Sequence, residues 1–311
     1  AAQARRWPEY RAQTAQPSRS QKIGGASPLL ITVQVVIIVL AILFALFPAL
    51  WIISAALNPS GSMVSQSFIP QNVRSMDDLL TNFRRLFDDP TIPFWRWVGN
   101  SLVISGVTTV LTVSMTALSA YSFSRFRFYG RRTLLVGSML IQVFPNILAM
   151  VALYLLLLQI GQYVPFFAIN THGGLILVYL GGAMGANTWL MKGFFDSIPR
   201  DIDESAMVDG ATHWQAFTQL ILPLVRPIIA VVSILAFVGT LNEFLLARIV
   251  LTDRENWTLM VGLFNFVSAE FTNDWGVFAA GSLIAATPVV ILYLSLQRYI
   301  VGGLTVGAVK G

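Results

Sequence analysis

Long apolar runs alternate with short polar segments along this chain, and six of the runs are long enough to cross about 30 Å of hydrocarbon as helices. They cover residues 29–57, 98–123, 133–158, 174–195, 227–250 and 275–299. Pro48, Pro145 and Pro288 fall inside three of them. Gly181, Gly182 and Gly185 in the fourth predict close approach of another helix. Asn58-Pro59-Ser60-Gly61 is a turn-forming cluster that ends the first run, and an amphipathic stretch follows at 76–87. The pattern predicts an all-α, polytopic membrane protein with six transmembrane helices. Residues 1–28 form an N-terminal tail, 29–299 the membrane domain and 300–311 a C-terminal tail. Longer connections span 58–97, 196–226 and 251–274.

Composition agrees with this pattern. Hydrophobic residues make up 55% of the 311 and charged residues only 11%, against about 25% in ordinary soluble domains. The net charge of +5 lies at span edges, so it bears on topology and not on nucleic acid. Fourteen lysines and arginines fall on the side holding both tails and six on the other. That excess predicts cytoplasmic termini in a bacterial inner membrane. The arginine-containing tail lacks the apolar core and small-residue cleavage site of a signal peptide. Cysteine is absent and only His172 and His213 are present, which removes thiol chemistry and leaves little for a metal centre.

The connection at 196–226 goes against the charge pattern, with five acids and two arginines. Its local physics predicts two short helices. Pro199 suits a first helical position, and Asp201, Asp203 and Glu204 complement the dipole in the first turn. Asp209-Gly210 ends that helix, with Gly210 free to adopt a left-handed conformation. Thr212 and Gln215 form a capping-box pattern for the second helix. Trp214, Phe217 and Ile221 share one face of it, next to Ala211, and Pro223 ends it.

Elsewhere, Glu243 is an acid at membrane depth and therefore a candidate site, with a structural contact to a neighbouring helix or to Arg248 as the alternative. His172 lies in the outer connection between the third and fourth spans. Phe144, Tyr154, Tyr179 and Phe237 could stack on sugar rings or simply pack. No phosphate-binding loop is present, so the chain reads as a non-enzyme without a cofactor of its own. An ion-driven carrier would bury several ionisable groups and carry internal repeats, whereas Glu243 is nearly alone here.

Glu204-Ser205-Ala206, Asp209-Gly210-Ala211, Phe217 and Leu222-Pro223 together resemble the coupling (EAA) loop of binding-protein-dependent ABC importer permeases. Ser205 stands where that motif has alanine. Asn170–Gly174, Trp275–Ala279, Gln297-Arg298-Tyr299, Gly303-Leu304-Thr305 and Val309-Lys310-Gly311 resemble the MalG-type maltose/maltodextrin permeases. The similarity covers roughly residues 29–311.

The resemblance implies a permease that builds a translocation path with a second, non-identical permease. A homodimeric ATPase would bind ATP and Mg, and an extracytoplasmic binding protein would deliver maltose, maltodextrin or a related oligosaccharide; another sugar or polyol is the alternative. It implies ATPase coupling through Glu204, Ser205, Ala206, Asp209, Gly210, Ala211, Phe217 and Pro223. It also implies that the external segment Ser268, Ala269, Glu270, Phe271, Thr272, Asn273 and Asp274 meets the binding protein. The tail Val306, Gly307, Ala308, Val309, Lys310 and Gly311 would reach between the ATPase subunits. Four glycines in the last ten residues argue against a stable helix there, so an extended peptide is expected.

Overall fold

The computed structural model describes residues 28–59, 68–71, 73–143, 146–268 and 274–308, with the backbone alone from residue 300. The helices are α1 (Pro28–Ala56), α2 (Met76–Leu79), α3 (Thr81–Asp88), α4 (Phe94–Arg125), α5 (Arg131–Val143) and α6 (Asn146–Tyr163). They continue with α7 (His172–Asp196), α8 (Asp201–Val208), α9 (His213–Leu224), α10 (Arg226–Leu241), α11 (Leu245–Val250), α12 (Leu259–Phe264) and α13 (Trp275–Ala308). No strand occurs among the described residues. By length and apolarity α1, α4, α7 and Trp275–Tyr299 of α13 can each cross a membrane. Two bent pairs, α5 with α6 and α9 with α10, bring the possible spans to six.

The chain divides into two compact units, Ala1–Leu50 and Trp51–Gly311. The described part of the first is a single apolar helix, residues 28–50 of α1, in which Thr32 Oγ1 donates to the Pro28 carbonyl at 2.9 Å. In the second, α4 is the central element and packs against α7 and α10. Its buried positions, among them Ser101, Ser105, Thr108, Thr112, Thr116 and Ala120, recur every three or four residues and so share one face. These side chains are small, which lets helix backbones approach where lipid supplies no hydrophobic drive between helices. Ser105 and Thr116 return their hydroxyls to the carbonyls of Ser101 and Thr112, each at 2.6 Å.

Two apolar clusters lie near opposite ends of α4. One gathers Phe94, Trp97, Leu157, Leu175, Leu251 and Leu263. There Trp97 Nε1 donates to the Arg254 carbonyl at 2.7 Å, and Asn100 Nδ2 donates to the carbonyls of Glu255 and Trp257. The other cluster gathers Tyr121, Met191, Phe195, Phe217, Ile221 and Val225.

Three expectations change. The run 227–250 is not one helix: α10 ends at Leu241 and α11 starts at Leu245. Of the three glycines in α7, a Cβ at Gly185 would lie 2.5 Å from the Ser138 carbonyl of α5, whereas Gly181 and Gly182 meet nothing within 4 Å. Close helix approach therefore rests on Gly185. The C-terminal stretch is helical to Ala308, continuing α13, where an extended peptide was expected. Glycine's helical cost of about 1 kcal/mol per residue is spread along a helix already nucleated upstream. Pro48 and Pro288 lie within continuous helices, and Pro145 lies outside the described residues.

Candidate functional site

The acidic connection folds as the helical hairpin α8–α9. The helix α8 starts at Asp201, two residues after Pro199, with Asp201, Asp203 and Glu204 in its first turn. At its end the Gly210 N–H donates to the Met207 carbonyl at 3.0 Å and the Ala211 N–H to the Ala206 carbonyl at 2.9 Å. Gly210 has φ +88°. This is a Schellman closure, which needs one residue in the left-handed region. A residue with a Cβ is disfavoured there by roughly 1–2 kcal/mol.

Thr212 then caps α9. Its hydroxyl accepts from the Gln215 N–H at 3.3 Å, and the Gln215 Oε1 accepts from the Thr212 N–H at 2.8 Å. From Ala216 to Ile221 the helix adopts π geometry, and the Leu222 N–H donates to the Phe217 carbonyl. Pro223 does not end α9, contrary to expectation. It follows this widened turn, where the missing N–H is accommodated, and the chain turns at Val225 instead. A bend of 78° then leads into α10.

The coupling residues divide between two surfaces. Ala206 and Phe217 are buried, Ala211 and Pro223 are half-buried, and Glu204, Ser205, Asp209 and Gly210 are exposed. Phe217 packs against Tyr121 of α4 with ring centroids 4.8 Å apart. The hairpin tip also exposes Val208 (87%) and Trp214 (62%). Trp214 was expected to share one face of the helix with Phe217 and Ile221. The π turn re-spaces that face, leaving Trp214 in contact with the Phe217 ring at 5.7 Å but open to solvent.

The hairpin's main polar anchor was not apparent from sequence. Arg125, the last residue of α4, places Nε 2.8 Å from Asp203 Oδ2, and both side chains are more than nine-tenths buried. The approach is a charge contact and not an aligned hydrogen bond. Arg125 also donates to the carbonyls of Phe195 at 3.3 Å and Ile198 at 3.2 Å. Next to it, Ser124 Oγ donates to Asp196 Oδ1 at 2.7 Å, Lys192 Nζ approaches Asp196 Oδ2 at 2.5 Å, and Arg200 donates to the Ser124 carbonyl at 2.9 Å. Arg125 and Arg200 thus fasten α8 to the end of α4, while Ser124 and Asp196 join the ends of α4 and α7. The available signal was Asp203 at i,i+3 from Ala206, which puts one acid on the buried face of α8.

The remaining candidates lie apart from the hairpin. Glu243 sits in the break between α10 and α11. Its carboxylate accepts from the N–H groups of Leu246 at 2.9 Å and Ala247 at 3.0 Å, and from Tyr179 Oη at 2.6 Å. It is a helix-start acceptor satisfied by α11 and α7. Arg248, its other expected partner, lies over the Trp257 ring at 5.0 Å. Asp274 turns inward, pairing with Arg85 and accepting from the Val277 N–H at the start of α13. Burial thus removes it from the exposed contact surface expected of this segment. Ser268 is half-buried and donates its hydroxyl to the Asn265 carbonyl. Ala269, Glu270, Phe271, Thr272 and Asn273 lie outside the described residues, as do Val309, Lys310, Gly311 and Phe144. Val306, Gly307 and Ala308 belong to the last turns of α13.

The family described as "Binding-protein-dependent transport system inner membrane component" matches residues 113–305, which include the whole hairpin. The chain belongs to this family. As a permease it is 41% identical over 272 residues to the maltose/maltodextrin transport system permease protein MalG of Vibrio vulnificus, covering 86% of this chain and 91% of that one. It is 39% identical over 282 residues to the Escherichia coli K12 protein of the same name, with 88% and 94% covered. Its fold matches a chain of a bacterial ABC transporter involved in alginate import, with TM-score 0.70 at 24% identity, over 87% of this chain and 96% of that chain. The permease is thus a membrane subunit of an ABC importer, with the transporter fold assembled around α4.

Proposed function

We propose that the chain is the MalG-type permease subunit of a maltose/maltodextrin importer. It lines a translocation path together with a second, non-identical permease. The supporting observation is the α8–α9 hairpin, with a buried anchoring face and an exposed tip carrying Glu204, Met207, Val208, Asp209 and Trp214. An ATPase dimer, which binds ATP and Mg, docks on that tip. Six spans follow when α5 with α6 counts as one and the bent pair α9 with α10 as another, α10 being the part of that pair that crosses and α9 the part that stays in the hairpin. The arginine and lysine distribution then puts both termini in the cytoplasm.

An extracytoplasmic binding protein meets the opposite side at the 268–274 connection, a contact that the resemblance to MalG-type permeases implies. Asp274 would hold the base of that connection while the residues before it make the contact. The C-terminal segment 306–311, whose first three residues close α13, reaches the ATPase.

The test is reconstitution with the cognate second permease, ATPase and binding protein, followed by ATP hydrolysis with maltose, maltotriose, other sugars and polyols. Stimulation by maltodextrins above the others is the expected result. Stimulation confined to a polyol, or transport driven by an ion gradient without ATP, would overturn the proposal. Shortening 268–274 by four residues should weaken stimulation by the binding protein, and unchanged stimulation would remove that contact.

A further inference from the structure

A second polar feature lies beside the coupling hairpin and is not used by it. The turn between α4 and α5 and the adjoining end of α7 border an open surface pocket of about 650 Å³, lined by Phe128, Tyr129, Arg131, Arg132, Leu135 and Lys192 among others. Its charge is one-sided. The Arg132 side chain forms no ion pair or hydrogen bond among the described residues, and the Arg131 guanidinium reaches the Phe126 carbonyl at 3.5 Å and feels the Asp196 carboxylate without pairing with it. Lys192 pairs with Asp196.

Arg131 and Arg132 are also the first two residues of the 13-residue helix α5, where the dipole disfavours cations. At the same helix end the Arg131 and Leu134 N–H groups are taken by the carbonyls of Phe128 and Gly130, which leaves those of Arg132 and Thr133 to meet an anion. Apolar walls stand beside these donors: Phe128 is 41% exposed, and Tyr129 is fully exposed. Aromatic rings of this kind favour the interface between lipid and water. The pocket opens where α4 and α7 end and the apolar run of α5 begins, which is at the membrane edge if these helices are spans. Basic pockets between helices at that depth suit phosphate headgroups, with the apolar wall receiving the glycerol end.

We propose that this pocket binds the phosphate headgroup of an anionic phospholipid, held by Arg131 and Arg132 with the start of α5. The inference goes beyond the transport reading and requires only that α4, α5 and α7 lie in a membrane.

The test uses the complete importer in detergent, titrated with short-chain phosphatidylglycerol, short-chain phosphatidylcholine and inorganic phosphate, with binding read by native mass spectrometry. Phosphatidylglycerol should bind in preference to phosphatidylcholine. At a factor of about five per arginine near the site, the double variant R131Q/R132Q should lose about 25-fold of that preference. R131K/R132K should retain most of it, which separates lost charge from lost folding. Saturation by inorganic phosphate without preference for the lipid would mean a free-anion site and overturn the proposal. An undiminished lipid preference in R131Q/R132Q would also overturn it. Loss of ATPase co-purification with lipid preference intact would assign the patch to the ATPase interface instead.

Discussion

Replacing Arg125 by methionine tests whether the coupling hairpin is held by its buried ion pair. Two unit charges 2.8 Å apart attract by about 6 kcal/mol at an effective dielectric constant near 20, before desolvation is subtracted. Removing one partner of a buried pair leaves the other charge uncompensated and costs about 3–5 kcal/mol. Arg125→Met should fall in the upper part of this range, because it also strips a donor from the Phe195 and Ile198 carbonyls. Asp203→Leu should cost less, since the guanidinium keeps those two acceptors. The double variant R125M/D203L should recover much of the loss, because a packed apolar pair avoids desolvation altogether.

The assay is amide hydrogen exchange of α8 in the reconstituted importer, with ATPase co-purification measured in parallel. A loss of 3 kcal/mol corresponds to about 150-fold faster opening of α8. Coupling in the double-mutant cycle below about 0.5 kcal/mol, or exchange of α8 in R125M equal to wild type, would refute the anchoring role.

Gly210 tests the turn itself. Since a Cβ there meets nothing within 4 Å, the penalty is backbone strain of roughly 1–2 kcal/mol; Gly210→Val should weaken ATPase docking and transport while Gly210→Asn remains milder, and normal maltodextrin uptake by the valine variant would refute the coupling assignment. Glu243→Ala should cost about 1–2 kcal/mol of thermal stability through lost capping of α11 and an unpartnered Tyr179 hydroxyl, and an unchanged melting temperature would count against that role. At Gly262 an added Cβ would collide with the Trp97 ring, so Gly262→Ala should destabilise by about 1–3 kcal/mol, read as a lowered melting temperature. Deleting residues 306–311 should preserve membrane insertion but lower sugar-dependent ATP hydrolysis; wild-type hydrolysis would remove the tail from the coupling path.

The sequence by itself determined the helical class, the positions of most of the long apolar helices and the closure of the hairpin. These are local properties: apolar run length, the left-handed requirement at Gly210 and the Thr212–Gln215 cap act over a few residues. Tertiary structure decided what depends on partners distant in the chain. Asp203 looked like Asp201 and Glu204 in the first turn of α8, and only the arrival of Arg125 from α4 made it a buried anchor. Glu243 read as an isolated acid at depth. The break in the helix, with its free N–H groups, and Tyr179 from α7 turned it into a satisfied cap. Asp274 read as part of a polar loop until Arg85 drew it inward. Charge and polarity are legible one residue at a time, but the partner that compensates a buried charge is selected by three-dimensional proximity, which hydrophobic spacing does not encode.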